Sequence, residues 1–369
     1  MAGLLEQIQE FLGEAEGFGH GPTQLALVER AVELADSLGD AEVAFYVRME
    51  LVEAATFAGR TDLAMIAFSW LLTKYDENPE EHDGYQLLWR YKWILENVAD
   101  FPNIEKAQIE ALYDDMKRRY KAEGSTLHAY WAIRRNNALI MGDATAAKKA
   151  DAKLLTTPRD HLSNCPACVQ DEQVEYCVFV GDDAGAIRAA KPILSGKMVC
   201  GEVPERTYAD LVLPLIRLGK HERALENFRT GYRLIDRDPK FVRHKAMFLI
   251  GLTLTDNLSR AVKLLDRHLP EALVSASPWW RFEFLLAARL LSEKLAESGK
   301  KTLPIRIPEG VALEGGDGKP TVAALIAWLD AELSASAAKF DARNGNKSFA
   351  KRVRGFRKLF EYEKPCPLK

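Results

Sequence analysis

The chain has 369 residues, enough for two domains of average size or for one continuous repeat body. With 47% hydrophobic and 28% charged residues it can bury a core, and a net charge of −3 with interspersed signs excludes a broad basic footprint for nucleic acid. No run approaches 18 uninterrupted apolar residues, residues 1–17 lack the basic and apolar regions of a secretory leader, and the five scattered cysteines suit reduced thiols. A cytoplasmic protein without a membrane segment is therefore expected.

Taken in chain order, the elements read as helices separated by tight turns. The turns fall at Gly21, Gly59, Pro102, Gly142, Gly181, Gly219 and Asp256, at steps of 37 to 43 residues. An alanine stands five residues after each: Ala26, Ala64, Ala107, Ala147, Ala186, Ala224 and Ala261. Gly and Asp adopt the left-handed backbone that ends a helix and reverses the chain, and a small residue lets the next helix approach closely. Apolar pairs precede the turns at Leu51 and Val52, Ile94 and Leu95, Leu211 and Val212, and Phe248 and Leu249. Phe68, Ala190, Phe228 and Leu265 lie four residues beyond the alanine, one turn along the same face.

The unit at 211–239, with Leu218-Gly219, Ala224, Phe228 and Pro239, resembles the tetratricopeptide repeat. The resemblance covers about residues 20–270, and the CPAC segment, Cys200 and FDARNG are similar to bacterial members of that family. The units depart from its usual repeat of about 34 residues and lack most of its first-helix aromatics. It implies an all-α fold, a right-handed α-α superhelix over residues 1–275 that binds a protein or peptide partner. Residues 276–369 are expected to form a helical C-terminal cap. Its helices are placed at about 279–298, 321–341 and 347–361, and a Gly- and Pro-rich surface loop at 300–320.

Two segments stand out chemically. Cys165-Pro-Ala-Cys168 has a metal-clamp or redox spacing, and Asn164 with Pro166 reads as a helix start. In the repeat register Cys200 lies near it. A structural zinc would use Cys165, Cys168 and Cys200, with His161 the nearest fourth ligand. A redox pair and plain small residues in tight turns remain alternatives, while Cys177 reads as core filling. The second segment is Arg134-Arg135-Asn136-Asn137, where the register expects apolar residues. With Tyr85, Trp89, Lys92 and Trp131, the residues Arg134, Arg135 and Asn136 form a candidate partner-binding groove. An internal salt-bridge network packed with tryptophans is the competing reading.

No HExxH, GxSxG, Walker or strand-linked GxGxxG sequence occurs, so no catalytic role is expected. The function expected is a binding scaffold or regulatory adaptor. The alternatives are a metal- or redox-responsive regulator using the three cysteines, and an enzyme with a site assembled across repeats.

Overall fold

A computed structural model describes residues 2–306, 311, 313 and 320–368. Those residues are helical throughout, without strands; the only β pairings are isolated bridges at Cys200–Val203 and Thr302–Thr321. No helix among them is long and apolar enough to cross a membrane.

Seven helix pairs follow in series among the described residues. They are α1 (Ala2–Glu16) with α2 (Pro22–Leu38), α3 (Ala41–Phe57) with α4 (Thr61–Glu77), α5 (Gly84–Asn97) with α6 (Lys106–Ala122), and α7 (His128–Ile140) with α8 (Ala144–Leu154). Then come α9 (Pro166–Val180) with α10 (Asp183–Leu194), the broken α11 (Glu205–Asp210) and α12 (Val212–Arg217) with α13 (His221–Ile235), and α14 (Val242–Leu254) with α15 (Leu258–Leu273). Helices α16 (Pro278–Glu297), α17 (Val322–Asn344) and α18 (Ser348–Gly355) follow, and the helix expected at about 347–361 turns 3-10 over Phe356–Tyr362. Pro214 explains the break between α11 and α12, because it lacks the N–H that would bond back to the Asp210 carbonyl.

Gly59, Gly142, Gly181, Gly219 and Asp256 have the positive φ that the turn register requires, at 60° to 80°. In five units the small residue occupies the fourth position of the second helix. Ala64, Ala147, Ala186, Ala224 and Ala261 are all buried there. Two units correct the expected register. Ala26 and Ala107 are exposed, and the fourth helical positions belong to Leu25 and Ile109, both buried. Gly21 is extended and precedes α2 as its N-cap, while the left-handed turn of that region is Gly39. The paired apolar residues of the first helices are buried as expected, as are Phe68, Ala190, Phe228 and Leu265.

The chain divides into two compact units. The first is Met1–Phe101, Ala107–Asn137 and Ala150–Ser163; the second is Pro102–Lys106, Ala138–Lys149 and Asn164–Lys369. In the second, one apolar core runs from Val174 on α9 to Phe349 on α18, so the C-terminal helices share it. Close approach there depends on glycine: a Cβ on Gly231 would lie 2.5 Å from Tyr208 Cβ, and one on Gly251 2.5 Å from Val212 Cγ1. Most of the loop expected at 300–320 lies outside the described residues. Its ends meet where Leu303 N–H donates to Pro320 O at 3.0 Å and Val322 N–H to Lys301 O at 2.9 Å.

Candidate functional site

The second unit brings three thiols together. Cys165 caps α9, with extended backbone and a sulfur that accepts from the Cys168 N–H at 3.4 Å; Pro166 takes the first helical position, where a missing N–H costs nothing. The helix thus starts one residue later than Asn164, whose amide instead donates to Glu172 Oε1 at 2.9 Å. Cys168 follows one turn on and faces a small apolar cluster of Ala167, Ile193 and Val203. Cys200 arrives from the connection after α10. Gly196 reverses the chain at φ 76°, and reciprocal bonds between Cys200 and Val203, at 3.0 and 3.3 Å, fix the turn that presents the thiol.

The three sulfurs lie within 4.8 Å of one another. No fourth His, Cys, Asp or Glu among the described residues joins them at that spacing. The exposed His161 ring stacks instead on Tyr85 within the first unit, with centroids 5.9 Å apart. Cys200 is exposed, and Cys165 and Cys168 are half-buried, so the group has an apolar floor and an open side. All three are free thiols, and Cys177 is buried in the core as expected.

Electrostatics differ sharply across the group. Burial raises the Cys165 thiol, but the Cys168 N–H, hydrogen bonds from Cys200 and Cys168, and the Ala167 N–H outweigh it and hold Cys165 below its ordinary value. Burial pushes Cys168 far up, against the pull of the Arg206 guanidinium. Arg206 is the functional residue that spacing alone missed. It lies in the first turn of α11, six residues after Cys200, and bonds Asp171 at 2.9 Å, joining the thiols to a line of buried charges. Its signal in the sequence was only a basic residue in VCGEVPERTY.

That line leads to Glu175, Asp210 and His244, whose ligand atoms also lie within 4.8 Å of one another. Here a protein cation sits in place: Arg243 Nη2 reaches Glu175, Asp210 Oδ1 at 3.3 Å and His244 Nε2 at 3.2 Å. His244 accepts that bond, so its proton is on Nδ1. Burial, then Arg243 and Arg206, hold it neutral. A metal ion on this group would have to displace a guanidinium.

The candidate groove lies in the first unit, and its basic residues are engaged internally. Arg134 bonds Glu110 at 2.8 Å and stacks over Tyr113 at 4.5 Å. Arg135, 1% exposed, pairs with Asp151 at 3.2 Å and donates to Asn136 Oδ1. Asn137 donates to Leu95 O and to Tyr113, each at 2.7 Å. The Lys92 ammonium is buried 3.1 Å over the Trp89 ring. Trp89 and Trp131 are half-buried, and Tyr85 is exposed at its rim. The internal salt-bridge reading accounts for the arginines.

No protein-family model matches this chain, and a search of curated proteins finds no match either.

Proposed function

We propose that this chain is a non-catalytic helical scaffold whose second unit is held by one zinc ion on Cys165, Cys168 and Cys200. The carrying observation is the meeting of three free sulfurs within 4.8 Å, two from the first turn of α9 and one from the turn before α11. Thiolates are soft ligands that favour zinc over hard cations, and three of them leave one tetrahedral position for water or an outside ligand. The Arg206 charge beside Cys168 offsets the excess negative charge of a trithiolate. Bound there, zinc ties the start of α9 to the α10–α11 connection. Metal analysis of the purified protein tests the reading: about one zinc per chain is expected, and none in Cys200→Ser. A metal-free wild type that also takes up no added zinc refutes it.

The scaffold around the site is read as a right-handed α-α superhelix of tetratricopeptide-type units. The serial helix pairs and the buried small residue at the fourth helical position support it. The partner is a protein or peptide held on the first helices near Tyr85, Trp89 and Trp131. A partner retained by wild type and by Tyr85→Ala alike places the contact elsewhere.

A further inference from the structure

We propose that Cys165 and Cys200 form a peroxide-reactive pair, joined by hydroperoxide into a disulfide that dismantles the trithiol site and leaves Cys168 as a free thiol. Its regulatory meaning rests on the zinc reading above; the bond itself does not require the metal.

The argument is one of access and contact. Cys200 is the exposed member, and it sits on the turn closed by its backbone bonds with Val203 rather than inside a helix, so it meets a solvent oxidant first. Cys165 is within reach of it: the two sulfurs lie within 4.8 Å of one another, and the Cys165 sulfur, at the N-cap, accepts the Cys168 N–H at 3.4 Å, a contact that favours its thiolate. Cys168 lies inside the first turn of α9, whereas Cys165 is the N-cap ahead of it; both pack on Ala167, Ile193 and Val203.

The chemistry balances with a hydroperoxide as the oxidant. The Cys200 thiolate attacks the terminal peroxide oxygen, the O–O bond breaks, and the alkoxide leaves and takes a proton, giving a sulfenic acid on Cys200. The Cys165 thiolate then attacks that sulfur. The S–O bond breaks, hydroxide leaves with a proton as water, and the disulfide forms. Two thiols lose two electrons in total; the hydroperoxide gains them and ends as an alcohol, with one water released. A zinc ion on the site loses two of its three protein ligands and is released.

The experiment treats zinc-loaded and chelator-stripped protein with a few equivalents of hydrogen peroxide, then maps non-reduced peptides, counts free thiols and reads released zinc colorimetrically. The expected result is a Cys165–Cys200 cross-link, two thiols lost per chain, zinc release in step with the cross-link, and restoration by dithiothreitol. Cys168→Ser keeps the cross-link and Cys200→Ser abolishes it. A sulfinic or sulfonic acid on Cys200 without a cross-link, a predominant Cys165–Cys168 bond, or no thiol loss overturns the proposal. If the stripped protein forms the bond while the chain binds no zinc, the metal reading fails and the reactive pair stands. Zinc binding without any cross-link is the reverse.

Discussion

The guanidinium of Arg243 donates to Nε2 of His244 at 3.2 Å, on the side where that imidazole would otherwise bind a metal together with Glu175 and Asp210. The second unit thus holds two groups with ligand spacing and opposite character. One has its cation built into the chain, and the other is three thiols with an open side. Arg206, between Asp171 and Cys168, electrostatically couples the first to the second.

Removing the built-in cation is expected to be costly. Arg243→Met leaves the Glu175 and Asp210 carboxyls facing each other without their partner, and should destabilise the protein by about 3 to 5 kcal/mol. Denaturant unfolding measures this; a loss below about 1 kcal/mol counts against the pairing.

Asp210 sets a pH dependence. Burial, opposed by Arg243, raises its carboxyl to about 8. In the unfolded chain the same group loses its proton from about pH 4. Between those values the folded state holds a proton the unfolded state has released, so this contribution to stability is lost as pH rises. Asp210→Asn is locked in the neutral form. Its Tm relative to wild type should therefore improve between about pH 5 and about pH 8, and a pH-independent difference would sink the idea.

Arg206 should tune the metal site without ligating it. Arg206→Gln removes the positive charge beside Cys168 and is expected to weaken zinc binding by about 10-fold or more, with stoichiometry unchanged. Competition against a chromophoric chelator reads the affinity. Unaltered affinity would confine Arg206 to its ion pair with Asp171.

The corrected register makes a sharp contrast among alanines. Ala261→Leu forces extra methylenes into a closed helix contact and should cost about 1 to 3 kcal/mol. Ala26→Leu and Ala107→Leu, at exposed positions, should stay within about 0.5 kcal/mol of wild type. Equal losses at all three positions would restore the uncorrected register.

The interior pair Arg135–Asp151 offers a double-mutant test. Asp151→Ala removes the carboxylate partner of a buried guanidinium and should cost about 3 kcal/mol, while Arg135→Met with Asp151→Leu should recover much of it. Additive losses in the double variant would show that the two groups do not interact.

The sequence by itself determined the helical hairpins and most of their register. Left-handed turns at Gly59 or Gly219, the buried Ala64 and Ala261, and the cap Ser277 before α16 depend on the local backbone and on residues within one or two turns. Only the tertiary structure decided the polar chemistry. Arg135 and Asp151 are 16 residues apart, Arg243 and Glu175 are 68, and Cys200 closes on Cys165 across the whole of α9 and α10 and the connection after them. Spacing could nominate the thiols because two of them share one helical turn. It could not pair Arg134 with Glu110, nor foresee that the His161 ring stacks on Tyr85. Those outcomes depend on which faces are packed together, and a charge finds its partner only once the faces meet.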